Sequence, residues 1–241
     1  MDRQALRRCY NCDARLNILS CRLMSSFAPK PDPEWLSPLL SFCHTKQHGK
    51  NVDFIRAEEP AESLYYLIGG SVKVLIEDRD EEHRELTLAY INEGEFIGEM
   101  GLFMPRQPRS VIVRTRVPCR VAEIGYKRLE QLLDRELREH ARGLLFAIGR
   151  QLSMRLRQTS RKVGDLAFLD VTGRIAGTLL ELCRQPDAMT HPEGMQIRIT
   201  RQDIGRMVGC SREMAGRVLK VLEEQDHISV NGKTIVVFGA R

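Results

Sequence analysis

Between about residues 51 and 126, short apolar runs alternate with turn residues. In the run that begins at Ser71, apolar side chains occupy every second position at Val72, Val74 and Ile76. This alternation predicts strands with one buried face. Several such strands, separated by glycine-containing turns, predict an antiparallel β-sandwich or barrel in the first half of the chain.

Helical periodicity replaces this alternation between Pro118 and Pro186, where no proline occurs. Apolar or small residues recur there at intervals of four and three, the heptad pattern of helix–helix packing. Such a narrow stripe, flanked by arginines, favours the same helix of a second subunit over packing within its own domain. A glycine and a threonine within the stripe reduce the stability of the helix–helix packing. Their presence indicates that this part of the helix has a function besides packing. The stripe consists of Leu145, Gly149, Leu152, Leu156, Thr159, Val163 and Leu166.

Towards the C-terminus, the stretch RQDIGRMVGCSREMAGRVLK (201–220) predicts two short helices joined by a tight turn. Gly205 permits close helix packing, and Gly209 occupies a turn that favours a positive φ angle. A β-hairpin follows, with its turn predicted at Asn231-Gly232. Together these elements predict a helix-turn-helix with a wing.

The second of these helices carries side chains suited to DNA. Arg212, Glu213 and Arg217 lie on the side away from the shared apolar face. Arginine can bond to guanine O6 and N7, glutamate can accept from cytosine N4, and a helix N-terminus can meet a phosphate. The alternative is a solvated face with a Glu213–Arg217 pair. Base reading is favoured because the motif, the wing and a dimer helix occur together.

Composition and charge agree with this organisation. The chain has 241 residues, of which 42% are apolar and 29% charged, typical of a globular protein of one or two domains. Neither a membrane span nor a signal-peptide core is present, and seven irregularly spaced cysteines favour a cytoplasmic protein. The net charge of +5 lies towards the C-terminus, since residues 142–241 contain 16 basic and 10 acidic residues. Such a surplus suits a polyanionic partner.

From KVGDLAFLD (162–170) to the C-terminus, and more loosely from Ser63 to Tyr126, the sequence resembles the Crp–Fnr family of bacterial transcription regulators. The resemblance covers about four-fifths of the chain and is absent over residues 1–23, for which Met24 is an alternative start. It implies an α+β fold. The implied parts are an extension over 1–23, a cyclic-nucleotide-binding jelly-roll β-barrel over 24–141, a dimerisation helix over 142–168 and a winged helix-turn-helix over 169–241.

The resemblance also implies a site for cyclic AMP. GEFIGEMGLF (94–103) and PRSV (108–111) place a glycine–glutamate turn before an arginine and a serine. An arginine with backbone N–H groups and a hydroxyl suits a cyclic phosphodiester, and a carboxylate can accept from the ribose 2′-hydroxyl. The alternative is that Glu99 and Arg109 pair with each other. The implied contacts are Gly98, Glu99, Arg109 and Ser110, with Thr159 of one subunit and Ser160 of the other at the adenine.

The remaining roles that the resemblance implies concern DNA and RNA polymerase. The homodimer would bind a two-fold symmetric duplex with TGTGA-type half-sites, one helical turn apart. Its base readers would be Arg212, Glu213 and Arg217. Its phosphate contacts would be Thr200, Arg201, Gln202 and Ser211. RNA polymerase would meet Thr190 and His191 in the loop 187–195, and also His44, Glu123 and Arg128. The implied hinge is Asp170 and Gly173.

Some positions depart from the family pattern. Glu58 occupies a turn position where the family usually has glycine, and Lys46 replaces a histidine of the second polymerase region. The segments EDRDEEHREL (77–86) and DRELREHARG (134–143) are longer than expected. We expect Glu58 and both segments in surface connections, which tolerate such changes.

An iron–sulfur sensor is the main alternative within the family. Cys9, Cys12 and Cys21 have the spacing C-x₂-C-x₈-C, and Cys119 could supply a fourth thiolate. However, Cys119 matches a cysteine of the nucleotide-binding type, so no metal is expected.

Two further alternatives concern a different ligand and a different class of protein. A relative that senses cyclic di-GMP, or no ligand, is opposed by the retained Ser110 and Thr159-Ser160. An enzyme would need Cys210 as nucleophile and His191 as base, but the motif places no histidine near Cys210. Catalysis is therefore not expected.

Overall fold

The first part of the protein consists of two antiparallel sheets. The computed structural model describes residues 32–78, 85–104 and 107–240. Its strands here are β1 His44–His48, β2 Asp53–Ile55, β3 Ser63–Gly69, β4 Ser71–Glu77, β5 Glu85–Asn92, β6 Phe96–Ile97, β7 Ile112–Thr115 and β8 Cys119–Gly125. One sheet has the order β1-β8-β3-β6 and the other β2-β7-β4-β5. This arrangement confirms the predicted all-antiparallel β domain.

Strand β4 does not alternate along its whole length. Val72 is fully buried as predicted, but Leu75 is also fully buried and Ile76 is 38% exposed. The pairing with β5 shifts register between Val74 and Leu75. Because a bulge reverses the face of every later side chain, the predicted burial of Ile76 is wrong.

The helices of this part are α1 Leu36–Ser41, α2 Met100–Phe103, α3 Tyr126–Asp134 and α4 Arg138–Phe168. Helix α4 has 31 residues, which corresponds to a length of about 46 Å. It begins ahead of the predicted start at 142, because much of the longer segment 134–143 is helical rather than a loop. Leu144 and Ile148 of α4 are fully buried against the barrel.

The heptad stripe of α4 is largely uncovered. Leu156, Val163 and Leu166 are 70%, 61% and 54% exposed. Leu152 is an exception because it packs on the barrel core. The exposed stripe is therefore available to a second helix, as the spacing predicts.

The C-terminal part is a compact α/β unit. Its elements are α5 Val171–Leu182, β9 Met189–His191, β10 Gly194–Arg198, α6 Arg201–Val208, α7 Arg212–Glu224, β11 Ile228–Asn231 and β12 Thr234–Phe238. Its sheet has the order β11-β12-β10-β9. The core lies where α5, α6 and α7 meet this sheet, around Ile175, Ile204 and Leu219. The unit is the predicted helix-turn-helix with a wing.

Glycines occupy two turns of this unit, one between α6 and α7 and one in the wing. Gly209 has φ +70°, as predicted for the turn between α6 and α7. A β-carbon on Gly205 would lie 2.6 Å from the Cys210 carbonyl oxygen, so close packing there excludes any side chain. In the wing, Asn231 pairs with Thr234. The turn residues are therefore Gly232 and Lys233, one position later than predicted.

The C-terminal unit rests on the edge strand β5. Glu85 in β5 contacts two arginines: Arg114 of the barrel donates to one carboxylate oxygen, and Nη1 of Arg206 in α6 lies 3.1 Å from the other, outside hydrogen-bond geometry. Nδ2 of Asn92 donates to Oε1 of Gln185 over 3.0 Å. These contacts join the barrel directly to the helix-turn-helix.

The turn that contains Glu58 is strained. Glu58 has φ +68°, a conformation that side chains rarely adopt. Its N–H donates to the Arg109 carbonyl over 2.8 Å, and the Arg109 N–H donates to the Glu59 carbonyl over 2.8 Å. The departure from glycine at position 58 therefore lies against the backbone of a predicted ligand contact.

We expect Glu58→Gly to raise the free energy of unfolding by about 0.5–1 kcal/mol, because glycine adopts a positive φ without steric cost. Urea denaturation measures this free energy, with unfolding of the barrel followed by the fluorescence of Trp35, the single tryptophan. Glu59→Gly is the matched control, since Glu59 has no positive φ, and should destabilise. Equal effects of the two substitutions would contradict the strain at position 58.

Candidate functional site

A glycine turn after strand β6 forms one wall of the candidate ligand pocket. Gly98 has φ +84°, and a β-carbon there would lie 2.5 Å from Nη1 of Arg109. Only glycine therefore allows the turn and this side chain to approach so closely. Glu99 follows and is 4% exposed.

Arg109 is held against this turn. Its Nη2 donates to the Ser63 carbonyl over 2.6 Å, and its Nη1 donates to the Tyr126 hydroxyl over 3.1 Å. The guanidinium also lies 5.8 Å from the ring centre of Tyr65 and 5.9 Å from that of Tyr126. A positive charge is thus fixed beside the glycine turn, and its other N–H groups have no hydrogen-bond partner in the part of the chain that the structure describes.

Glu99 pairs with the long helix rather than with Arg109. Nη1 of Arg155 in α4 donates to Oε1 of Glu99 over 2.6 Å. Oε2 is buried and has no hydrogen-bond partner among the described residues. The predicted alternative of a Glu99–Arg109 pair is therefore wrong. Because an unpaired buried oxygen is unfavourable, Oε2 fits a ligand hydroxyl that donates to it.

Helix α4 is attached to this pocket at two neighbouring turns. The Gln151 amide bonds the backbone of Phe96 in β6 twice, with Phe96 N–H donating to Oε1 and Nε2 donating to the Phe96 carbonyl, each over 2.8 Å. Arg155 also donates to the Phe96 carbonyl, over 2.8 Å. Thr159 follows one turn after Arg155 on the same side of the helix, whereas Ser160 is rotated by about 100°.

The predicted ligand residues therefore differ in how closely they are brought together. Gly98, Glu99 and Arg109 line one small region. Ser110 is the next residue after Arg109 and is exposed. Thr159 and Ser160 are also exposed, on the part of α4 beyond Arg155.

Sequence reasoning missed three side chains that organise the pocket: Gln151, Arg155 and Tyr126. Arg155 is one of the arginines that flank the heptad stripe, and the stripe alone indicates no further role for it. Its spacing of four residues from both Gln151 and Thr159 was the available signal, because such residues share one side of a helix. Tyr126 carried no such signal, since its partners lie far away in sequence.

Helix α7, which is predicted to face DNA, is capped at its N-terminus. The Ser211 hydroxyl accepts from the Met214 N–H over 3.1 Å, and the Thr200 hydroxyl caps α6 by accepting from the Asp203 N–H over 3.0 Å. Of the side chains expected to face DNA, Thr200 is half-buried and its hydroxyl also bonds the Asp203 carboxylate. The others are exposed: Arg201, Gln202, Ser211, Arg212, Glu213 and Arg217. Across the described residues, no ion pair within 4 Å joins Glu213 and Arg217, so the solvated-pair alternative is not formed.

Asp170 and Gly173, the predicted hinge, lie where α4 gives way to α5. Asp170 is the N-cap of α5 and accepts from the Gly173 N–H over 2.7 Å. The junction is a single capped turn.

The second predicted polymerase region centres on Glu123. It pairs across the strands with His44, and Lys46 and the Tyr65 hydroxyl both contact its carboxylate. Burial acts to raise the pKa of Glu123, but the bonds from Lys46 and Tyr65 outweigh it and lower the pKa. Lys46 thus keeps a positive charge beside this carboxylate. Arg128 is exposed on α3.

The segment 187–195 is largely a β-hairpin rather than the predicted loop, because Met189–His191 forms β9 and pairs with β10, which begins at Gly194. Nη2 of Arg116 donates to Asp187 over 2.9 Å. Thr190 and His191, the predicted polymerase contacts, therefore lie in β9, where Thr190 is exposed and His191 is half-buried.

The cysteines do not favour the alternative chemistries. Cys9, Cys12 and Cys21 lie outside the described residues. Burial raises the pKa of the Cys119 thiol and of the Cys210 thiol, the opposite of an activated nucleophile or a metal-bound thiolate. In the described part of the chain, no cluster of three or more histidine, cysteine or acidic side chains could hold a metal ion.

Comparisons with known proteins agree with both halves of the chain. Residues 46–136 match the cyclic nucleotide-binding domain, and residues 173–238 match the Crp-like helix-turn-helix domain. The cAMP-activated global transcriptional regulator Vfr of Pseudomonas aeruginosa is 53% identical over 221 residues, covering 90% of this chain and 100% of Vfr. The cAMP-activated regulator CRP of Escherichia coli O157:H7 is 54% identical over 215 residues, 88% of this chain and 98% of CRP.

A solved structure is also similar over most of the chain. The c-di-GMP responsive global regulator CLP of Xanthomonas campestris is 48% identical, with a TM-score of 0.79, over 85% of this chain and 98% of CLP. The fold and pocket define a sensor domain joined to a helix-turn-helix. The chain belongs to the Crp–Fnr family of transcription regulators. Within the described ranges, no helix is long and apolar enough to cross a membrane.

The Glu99–Arg155 pair generates a stability prediction. Arg155→Met leaves a buried carboxylate without its counter-charge, so we expect the free energy of unfolding to fall by about 2–4 kcal/mol. Adding Glu99→Gln should restore more than half of this loss, because an amide needs no counter-charge. Urea denaturation followed by Trp35 fluorescence measures both. Losses that simply add in the double variant would contradict the pair.

Proposed function

We propose that this protein is a cytoplasmic transcription regulator that binds DNA in response to cyclic AMP. The observation that carries the proposal is the pocket. An arginine flanks one glycine turn there, together with a buried carboxylate oxygen that has no hydrogen-bond partner within the described ranges. A cyclic nucleotide offers these groups an anion and a hydroxyl. The relatives Vfr and CRP, both named as cAMP-activated, support the same ligand.

In this proposal each pocket group has one role. Arg109 and Ser110 bind the cyclic phosphate, together with the backbone at Gly98. Oε2 of Glu99 accepts from the ribose 2′-hydroxyl. Thr159 of one subunit and Ser160 of the other bind the adenine amine.

The homodimer forms through α4. Its exposed apolar stripe needs a partner, and the same helix of a second subunit is the simplest one. The rotation of Ser160 relative to Thr159 supports the sharing of one ligand between two α4 helices, because the two side chains leave the helix in different directions.

Two helix-turn-helix units of the dimer read a two-fold symmetric site of the TGTGA type. Arg212, Glu213 and Arg217 contact base edges. The phosphate contacts are Thr200, Arg201, Gln202 and Ser211. Once bound, the dimer contacts RNA polymerase through Thr190, His191, His44, Glu123 and Arg128.

Ligand binding changes DNA affinity through α4. Glu99, which receives the ribose, is paired with Arg155, and Gln151 bonds the adjoining strand. A change at the pocket therefore reaches the helix that forms the dimer. The turn at Asp170 and Gly173 allows the DNA-reading unit to change orientation relative to α4. We place the functional boundaries at 24–141, 142–168 and 169–241.

Cyclic di-GMP is a second candidate ligand because the similar regulator CLP is described as responsive to it. The retained hydroxyls of Ser110, Thr159 and Ser160 favour cyclic AMP.

The central test is fluorescence anisotropy of a duplex with two TGTGA half-sites, titrated with protein at fixed salt because phosphate contacts depend on salt. We expect tight binding with cyclic AMP and weak binding without it. Arg109→Ala should lose this response while retaining the weak binding. Equal affinity in the presence and absence of cyclic AMP would refute the ligand and direct the same titration to cyclic di-GMP.

For base reading, Arg212→Ala should weaken binding to the cognate duplex by about 1–3 kcal/mol and relax the preference at one base pair. Anisotropy with the cognate duplex and duplexes substituted at single positions measures both effects. Lys220→Ala, further along α7, is a control that should weaken all duplexes alike. Unchanged base preference in Arg212→Ala would show that Arg212 does not read a base.

A further inference from the structure

Tyr126 lies between the two groups that flank the pocket. Its hydroxyl donates to the Gly98 carbonyl over 2.5 Å and accepts from Nη1 of Arg109 over 3.1 Å. The residue is 8% exposed, and burial raises the pKa of its phenol. The hydroxyl therefore keeps its proton at neutral pH and remains the donor to Gly98.

The position of this hydroxyl is set by rigid parts of the fold. Tyr126 opens helix α3, and its N–H donates to the Glu62 carbonyl over 2.9 Å. A β-carbon on Gly101 would collide with the Tyr126 hydroxyl, so glycine leaves the space that the ring occupies. The phenol of Tyr126 thus links the start of α3 directly to the glycine turn.

Arg109 depends on this hydroxyl for its orientation. A guanidinium has five N–H donors. Here one bond goes to the Ser63 carbonyl and one to the Tyr126 hydroxyl. Two bonds on different nitrogens fix the plane of the guanidinium, and the other N–H groups have no hydrogen-bond partner among the described residues. They are available to an anion.

We propose that Tyr126 is a positioning residue for ligand binding. The Tyr126 hydroxyl bonds both Arg109 and the Gly98 carbonyl. It therefore fixes the distance between the anion-binding guanidinium and the turn that carries Glu99. Phosphate and ribose contacts are thereby matched to one rigid ligand before it arrives, which favours binding. The inference rests on the proposed function, because it takes the cyclic phosphate as the partner of Arg109.

The test is calorimetric titration of the full-length protein with cyclic AMP. Tyr126→Phe removes one oxygen and should lower the affinity about tenfold, the usual effect of losing a hydrogen bond to a charged group. Tyr66→Phe is the matched control. It removes the hydroxyl of an equally buried tyrosine, 8% exposed, whose ring packs on Trp35 and Phe96 rather than on Arg109. It should bind cyclic AMP as the unmodified protein does.

A double-variant comparison separates positioning from a structural role. If Tyr126 acts through Arg109, Tyr126→Phe should cause no further loss of affinity in an Arg109→Gln background. The same tenfold loss in both backgrounds would mean a structural role and overturn the proposal, as would unchanged affinity of the single variant. Trp35 fluorescence during denaturation verifies that each variant is folded.

The same measurements distinguish this inference from the proposed function. Unchanged cyclic AMP affinity in Arg109→Gln alone would refute the pocket assignment itself. A loss of affinity in Arg109→Gln together with normal affinity in Tyr126→Phe would overturn only the positioning role.

Discussion

Helix α4 is attached to the barrel by Gln151 and Arg155, one turn apart, and the arrangement of the other functional surfaces depends on this attachment. Gln151 bonds strand β6 through its backbone, while Arg155 binds the carboxylate of Glu99 directly beyond that strand. With this side of the helix attached, the apolar stripe with Leu156 and Val163 remains exposed on another side. One helix thus serves as a wall of the pocket and as a surface for a second subunit.

The pocket keeps opposite charges apart by giving each its own protein partner. Glu99 is paired with Arg155, and Arg109 is held by the Ser63 carbonyl and the Tyr126 hydroxyl. If Glu99 and Arg109 had paired with each other, neither would be available to a ligand. Their separation leaves an acceptor and a set of donors in fixed positions, which is complementary to a molecule with one hydroxyl and one anionic group.

Patterns within short stretches allowed most of the fold to be predicted, because strand alternation, the heptad stripe and the turn at Gly209 are local. What depends on non-local contacts was missed. The bulge that exposes Ile76 arises from pairing with β5 and leaves no mark on the alternation. The partners of Arg155 and Tyr126 depend on how helices dock against the barrel. Sequence patterns therefore predict Gly98, Glu99 and Arg109 as ligand contacts but not the side chains that orient them. Thr159 and Ser160 stay predictions because their role requires two subunits.

The Glu85 carboxylate has a consequence for how DNA binding responds to ionic strength. Glu85 is shared between Arg114 within the barrel and Arg206 of the helix-turn-helix unit. Because the Glu85 side chain is only 11% exposed, salt screens its contact with Arg206 much less than it screens contacts at an open surface. The contact between the barrel and the DNA-reading unit therefore persists at ionic strengths that weaken binding to DNA phosphates. The fall of DNA affinity with salt is thus expected to report on the phosphate contacts rather than on this internal one.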